Sequence, residues 1–335
     1  MKIGKLTIEN LKNLILNNIK KNRKEILTNP EIGGDCAIIE VGDKLLYLSS
    51  DPITGATEKI GSLIVNINAN DIATSGSTLV GIMLTILAPP GTEKKELSLI
   101  IQEAQKECDI LNMEILGGHT EITDAVNRIV VSGTVVGIGE KKDFNNRKKP
   151  GLGDKILITK GIGIEGTGII CTEKCKELEE IFGKEIIEEG QKYLKKISVV
   201  KDAEITKDVA KVMHDVTEGG ILGAIWEVCE LFNLGAEIEG SKLKISEVTQ
   251  KICDYYKLDP LRLISSGTML IIVGEKDIEL LQKKLLEENI ESFEIGTLTE
   301  KKDKIILKKC GEKKGFKEER IVIAEPESDE LYKVV

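Results

Sequence analysis

The sequence predicts an α+β protein built from two domains. Its 335 residues correspond to about two domains at roughly 100–200 residues each. Strand-like and helix-like segments are mixed in both halves, without the regular alternation that builds a doubly wound parallel sheet. A charged segment, residues 141–155, contains Pro150 and two glycines and is typical of a linker. We therefore expect a first domain over residues 1–150 and a second over residues 151–335.

The first half begins with apolar residues at helical spacing in residues 7–27, which predict one amphipathic helix or two short ones. Two strands joined by a turn at Gly42 and Asp43 should follow, because short apolar runs flank that pair. Helical periodicity then covers residues 59–76. The remaining predicted elements are a strand at 79–87, a charged helix at 92–111, a short strand ending at Gly117-Gly118 and a strong strand at 128–140.

The second half begins with a strand at 155–159, which leads into a glycine-rich turn and a helix. The elements that should follow are helices to about residue 209, a short strand to Met213, a loop at 214–220, a helix at 221–232, a strand, a helix, a strand at 268–273, a helix at 276–288 and two final strands. The lysine-rich segment 301–320 predicts a solvated hairpin at a sheet edge, because lysines discourage pairing with other chains.

The composition excludes several classes of function. The 47 lysines and arginines and the 56 aspartates and glutamates give a net charge of 47 − 56 = −9. Aromatic residues make up only 3% of the chain. A basic surface with stacking aromatic residues is therefore excluded, and we expect no nucleic-acid partner. No apolar run approaches the length of a membrane span, and the first residues lack a signal-peptide pattern, so we expect no membrane partner and a cytoplasmic protein. The seven scattered cysteines predict reduced thiols.

The chain has only two histidines, and both lie beside glycine pairs. His119 follows Gly117-Gly118, and His214 begins the segment His214-Asp215-Val216-Thr217-Glu218-Gly219-Gly220. Glycine pairs let the backbone approach a ligand closely, and a near-neutral pKa suits histidine to acid–base work. The alternative is that each histidine is a polar loop residue that caps a turn.

Three aspartates form a second candidate group. Asp35 follows a glycine pair, Asp51 ends a predicted strand, and Asp71 lies in an apolar helix-like segment. If the three converge, their carboxylates suit Mg²⁺, which prefers a few carboxylates together with phosphate oxygens and water. Ordinary surface or capping positions are the alternative, but a carboxylate in the apolar context of Asp71 needs a partner.

The loop Gly161-Ile162-Gly163-Ile164-Glu165-Gly166 matches the glycine pattern of dinucleotide-binding loops. The chain lacks the strand–helix–strand unit and the following acid that such a site requires. We therefore interpret the loop as a tight turn between a strand and a helix. The sequence contains no P-loop, protein-kinase or α/β-hydrolase motif.

Seven segments nevertheless occur in the order found in the aminoimidazole ribonucleotide (AIR) synthetase superfamily. They are GGDCA, LSSDP, VNINANDIATSG, GGHTE, GDKILITKGIGIEGTGII, MHDVTEGG and DPLRLISSGTMLIIV. The chain resembles this superfamily over about residues 30–300, and within it is most similar to the hydrogenase-maturation family HypE. The resemblance implies a PurM-like fold, with an N-terminal domain that forms a β-barrel across a homodimer and a C-terminal α+β sandwich domain.

The resemblance also implies ATP and Mg²⁺ in a cleft between the halves, and phosphoryl transfer or dehydration at an amide or acid oxygen. The substrate would be a small molecule or a group carried by a protein, with a maturation protein as a further partner. The implied metal ligands are Asp35, Asp51 and Asp71. The implied nucleotide contacts are Asn70, Gly117, Gly118, Thr120, Thr217, Gly219 and Gly220. The candidate catalytic residues are His119, His214, Asp215 and Glu218.

Three features depart from the family pattern. HypE proteins end in a cysteine that carries the reacting carbamoyl group, whereas this sequence ends in PESDELYKVV and its last cysteine is Cys310. Gly34 stands where relatives carry the first acid of an Asp-Asp pair, and His119 stands where HypE and AIR synthetase carry an acid. Two alternatives therefore remain: a small-molecule kinase resembling thiamine-monophosphate kinase, and a non-catalytic nucleotide-binding relative.

Overall fold

Two β-sheets organise the chain, which we describe from a computed structural model covering residues 4–146, 148–301, 305–309, 319–326 and 328–335. The strands are β1 (Ala37–Val41), β2 (Lys44–Ile53), β3 (Thr78–Ala88), β4 (Glu114–Ile122), β5 (Val130–Glu140), β6 (Lys155–Thr159), β7 (Val212–Asp215), β8 (Leu234–Glu239), β9 (Met269–Val273), β10 (Ser292–Glu300), β11 (Ile305–Lys309) and β12 (Glu319–Val322).

The α-helices connect the strands within both sheets. They are α1 (Ile8–Asn10), α2 (Ile60–Thr74), α3 (Lys94–Leu111), α4 (Lys141–Asn145), α5 (Ile164–Glu173), α6 (Cys175–Phe182), α7 (Lys184–Gln191), α8 (Val200–Thr206), α9 (Gly220–Phe232), α10 (Glu247–Tyr256) and α11 (Ile278–Glu287). Over the described ranges, no helix combines the length and the apolar character needed to cross a membrane.

The first sheet has the order β1-β2-β5-β3-β4 and is antiparallel except for the parallel pair β3–β4. Helix α2 packs on this sheet and also contacts α3, α8 and β7, so almost every residue of α2 is buried. Close packing is visible at Gly137, where a Cβ atom would lie 2.4 Å from Ile72 Cγ2. Because α2 is enclosed on several sides, its polar residues are held inside the protein.

The second sheet has the order β12-β11-β8-β10-β6-β9-β7. Strands β6 and β9 are central and almost entirely buried, as their unbroken apolar sequences predict. The strand β7 lies at the sheet edge beside α2, and α9 follows it after a short loop. The two sheets therefore meet where α2 contacts β7. The mixed α+β, two-sheet architecture agrees with the predicted fold class.

The predicted helix over residues 7–27 is wrong beyond Asn18. Helical turns extend only through Ile8–Asn18, and residues 19–25 form no helix. Segment 19–24 carries four lysines or arginines and offers no apolar face. The next residues pair with β1 instead, since Leu27 N donates to Ile38 O at 2.9 Å.

Two predicted loops are strands in the structure. The segment Gly117–Glu121 continues β4, because its backbone pairs with β3 as far as Ala88 and Ile122. His214 and Asp215 are the last residues of β7, paired with β9.

The predicted lysine-rich hairpin is confirmed in its strands, since β11 and β12 pair at the sheet edge. Residues 310–318, including Cys310, lie outside the described residues.

Candidate active site

A cleft of about 830 Å³ lies where the first sheet meets β7, α5 and α9. Its lining joins residues that are distant in the sequence. The polar side chains facing it include Asp35, Asp51, Asp71, Glu165, His214, Asp215, Thr217, Glu218, Glu227 and Ser266. The structure thus brings together all three predicted metal ligands and three of the four predicted catalytic residues.

The imidazole of His214 links two carboxylates across the cleft. Its Nδ1 lies 2.9 Å from Asp35 Oδ2, and its Nε2 lies 3.2 Å from Glu227 Oε2. Burial alone would lower the pKa of His214, but the Asp35 and Glu227 carboxylates raise it well above its ordinary value. The pKa of Glu227 is lowered, because contact with His214 outweighs the effect of burial. Both ring nitrogens are therefore engaged, so His214 holds Asp35 in place.

The carboxylates of Asp71 and Asp215 lie in the buried floor of the cleft. Burial, followed by the Asp215, Asp51 and Asp35 charges, raises the pKa of Asp71 well above its ordinary value. The Ser49 hydroxyl donates to Asp71 Oδ2 at 2.5 Å, which confirms the expectation that this carboxylate needs a partner. Burial and the Asp35 charge likewise raise the pKa of Asp215.

Asp51, in β2, lines the same cleft as the carboxylates of Asp71 and Asp215. Its backbone N–H donates to Asn68 Oδ1 at 3.0 Å, which ties this end of β2 to α2. The pairing of β2 with β5 over ten residues fixes the strand on its other side. Asp51 and Asp71 are therefore positioned by backbone structure, and neither depends on a flexible loop.

The donor set fits a divalent cation. Ligand atoms of Asp35, His214 and Asp215 lie within 4.8 Å of one another. Asp215 Oδ2 is buried and has no hydrogen-bond partner, an arrangement that costs free energy unless a ligand compensates it. Carboxylates that raise one another's pKa also gain from a bound cation. Since His214 is engaged by two carboxylates, Asp35, Asp51, Asp71 and Asp215 are the candidate oxygen ligands.

Asn70, a predicted nucleotide contact, is not among the residues that line the cleft. Its side-chain amide is buried, and Nδ2 donates to Ile197 O at 2.8 Å. Its Oδ1 accepts from Val199 N at 2.8 Å. Asn70 therefore connects α2 to the segment that precedes α8.

Four predicted site residues do not line the cleft of the single chain: Gly117, Gly118, His119 and Thr120. They lie on the exposed edge strand β4, where His119 Nε2 is 3.2 Å from Glu121 Oε2. Gly118 has a φ of +149°, and a Cβ atom there would lie 1.8 Å from Leu84 O. Close pairing with β3 therefore requires this glycine, which the sequence analysis attributed to a ligand.

The pair Gly219-Gly220, also predicted to contact the nucleotide, makes backbone hydrogen bonds within the chain. Gly219 N donates to Asp329 Oδ2 at 2.7 Å, and Gly220 N donates to Thr217 O at 3.1 Å. Both N–H groups therefore have acceptors within the chain. Thr217 and Glu218 of the same segment do line the cleft.

Sequence reasoning missed several cleft residues. Glu227 is an acid within the apolar helix α9, and Ser49 lies two residues before Asp51. Glu165 sits inside the glycine-rich turn and is 3% exposed. Lys5, near the start of the described chain, places Nζ 3.6 Å from Glu218 Oε2. An acid within an apolar helical segment is the one signal that could have indicated Glu227 and Glu165.

A larger cavity, about 1380 Å³, lies on the other side of α2. None of the predicted site residues is among the described residues that line it. Its half-buried Lys160 donates to Asp202 Oδ2 at 2.8 Å and to two backbone carbonyls. The smaller cleft holds the clustered ionisable groups, so we assign the candidate active site there.

Comparison with known proteins identifies the family. Residues 33–139 match the N-terminal domain model of AIR synthase related protein, and residues 151–308 match its C-terminal domain model. The chain is similar to a putative hydrogenase expression/formation protein of Methanocaldococcus jannaschii, with 27% identity over 317 residues and 91% of each chain covered.

Solved structures share the fold. The structure of a HypE–HypF complex matches with a TM-score of 0.73 and 16% identity, over 95% of this chain and 99% of that chain. The structure of AaThiL complexed with AMPPCP and TMP matches with a TM-score of 0.71 and 18% identity, over 96% and 98%. Both similarities extend over nearly the whole chain.

Proposed function

The chain belongs to the AIR synthase related family, and we propose that it is an ATP- and Mg²⁺-dependent enzyme that activates an amide or acid oxygen by phosphoryl transfer. The observation that carries the proposal is the convergence of Asp35, Asp51, Asp71 and Asp215 on one cleft. Bound Mg²⁺ would neutralise phosphate charge during transfer. Similarity to a hydrogenase expression/formation protein supports a role in hydrogenase or metallocentre maturation.

Each residue of the cleft has a distinct task in this proposal. The four aspartates hold the cation, and His214 positions Asp35 while Glu227 fixes the ring from its other nitrogen. Thr217 and Glu218 lie on the side of the second sheet, where the acceptor would approach. Positioning and charge neutralisation account for most catalysis of phosphoryl transfer, so no covalent protein intermediate is required.

The nucleotide contacts of Gly117, Gly118, His119 and Thr120 belong to the proposal only in a homodimer. The edge strand β4 is exposed, and its Leu116 and Ile122 side chains are 50% and 54% exposed. A second copy that covers this edge would bury these side chains and bring β4 beside a ligand. Sedimentation equilibrium should give twice the chain mass; a monomer would remove these four residues from the site.

A protein partner and a cytoplasmic location complete the proposal. The related fold in the HypE–HypF complex supports a maturation protein as partner. The six described cysteines are not joined in disulfides, which supports a reducing compartment.

A kinase of the thiamine-monophosphate type is the second candidate, supported by the fold of AaThiL bound to AMPPCP and TMP. Phosphorus-31 NMR separates the two candidates after incubation with Mg-ATP and either thiamine monophosphate or a panel of primary amides. We expect ADP and inorganic phosphate with an amide. A stable phosphorylated product would establish the kinase, and nucleotide binding without turnover would establish a non-catalytic relative.

A further inference from the structure

The glycine-rich turn before α5 carries one acid that the proposed chemistry does not use. A Cβ atom at Gly163 would lie 2.9 Å from Thr249 Cγ2, and one at Gly166 would lie 2.5 Å from Leu263 Cγ. The Ser265 hydroxyl accepts from the N–H groups of Gly163 and Ile164 at 2.7 and 3.3 Å. The glycines therefore serve packing, and these helix-start donors are already occupied.

The side chain of Glu165, in the first turn of α5, has no such structural role. Its side chain lines the active-site cleft and is 3% exposed, yet Oε2 has no hydrogen-bond partner among the described residues. Ser266 lines the same cleft and is fully buried, and its hydroxyl makes no hydrogen bond of normal geometry, although Ser266 lies close enough to Glu165 to act on the pKa of that carboxyl. Buried polar groups in proteins are almost always paired, so two adjacent exceptions in one cleft indicate a missing ligand.

We propose that Glu165 and Ser266 form the subsite for an uncharged group of the acceptor that both donates and accepts hydrogen bonds. The inference rests on the proposed function, because it concerns the acceptor of the same reaction. A carboxyl group and a hydroxyl group can each donate and accept, so together they match a primary amide or an alcohol.

The surroundings disfavour a charged group. Burial raises the pKa of Glu165 to about 8 although contact with Ser266 lowers it, so the carboxyl carries a proton near neutral pH and can donate. The Glu218 and Asp329 carboxylates act on Glu165 in the same direction, and they would repel a carboxylate or phosphate.

Saturation-transfer NMR with two probes of equal size tests the subsite: propionamide and propionate. The protein is used without nucleotide, so the result does not depend on whether nucleotide binds. We expect saturation transfer to propionamide alone. Glu165→Gln, which keeps a donor and an acceptor, should retain it, and Glu165→Leu should weaken propionamide binding by about tenfold.

Two further variants make the result decisive. Ser266→Ala should also weaken propionamide binding, whereas Glu180→Gln, at an exposed position of α6, should not. Because Glu165→Leu removes an unpaired buried carboxyl, we expect its melting temperature to rise while binding is lost. Equal transfer to both probes, preference for propionate, or full propionamide binding by Glu165→Leu would overturn the proposal.

Discussion

Replacing Glu165 by glutamine should flatten part of the pH dependence of stability. Burial raises the pKa of the Glu165 carboxyl from 4.5 to about 8. The folded state therefore loses stability relative to the unfolded state as pH rises from 4.5 to 8. Below pH 4.5 the carboxyl of Glu165 is protonated in both states, so the folded protein keeps its full stability. That stability is lost progressively as pH rises towards 8. The total is about 3.5 pKa units at 1.36 kcal/mol each, or roughly 5 kcal/mol.

The assay compares wild type and Glu165→Gln by urea unfolding at pH 5.5 and pH 8.5, followed by the fluorescence of the single tryptophan, Trp226. Other buried acids titrate in both proteins, so the difference between the two isolates Glu165. We expect the variant to gain about 3 kcal/mol in free energy of unfolding over wild type between these pH values. Glu180→Gln is the control.

An unchanged difference between pH 5.5 and pH 8.5 would refute this reasoning. Glu165 would then be ionised or hydrated in the folded protein. The uncharged subsite that it forms with Ser266 would lose its basis.

Two further substitutions test the framework of the cleft. His214→Ala should lower the metal-free melting temperature and cost about 3 kcal/mol, because Asp35 and Glu227 would be left without their shared partner; an unchanged melting temperature in calorimetry would contradict this. Asp329→Ala should cost about 2–4 kcal/mol and speed hydrogen exchange at Gly219, because three backbone N–H groups lose their acceptor; unchanged exchange would show that the contact is dispensable.

The sequence predicted the carboxylates of the cleft better than its glycines. Asp51 and Asp71 were identified because an acid in an apolar strand or helix needs a reason to be there. The pairs Gly117-Gly118 and Gly219-Gly220 were predicted to contact the nucleotide, which stays a prediction, and all four glycines have a positive φ in the structure. A glycine pair indicates that another group packs closely against the backbone. The sequence alone does not show whether that group is a ligand or another part of the chain.

Residues that reach the cleft through tertiary contacts could not be predicted from the sequence. Glu227 reaches His214 from the next helix, and Ser49 reaches Asp71 across 22 residues. Nothing in local spacing indicates such pairs, since they depend on how α9 and α2 pack. The end of the predicted helix at Asn18 was missed for a related reason: residues 25–27 pair with β1.

The order of the seven motifs predicted the family and the fold class, and both are confirmed by the domain models and the solved structures. The domain boundary at residue 150 stays a prediction.

The central claim is that the aspartate cluster binds nucleotide together with Mg²⁺. Calorimetric titration with AMPPNP, a non-hydrolysable ATP analogue, tests it directly. We predict binding that requires Mg²⁺, is weakened more than about tenfold in Asp71→Asn and is unchanged in Asp109→Asn on the exposed face of α3. Asparagine keeps the shape of the side chain and can still accept from Ser49 while removing the charge. Binding that survives in Asp71→Asn, or that needs no Mg²⁺, would contradict the account.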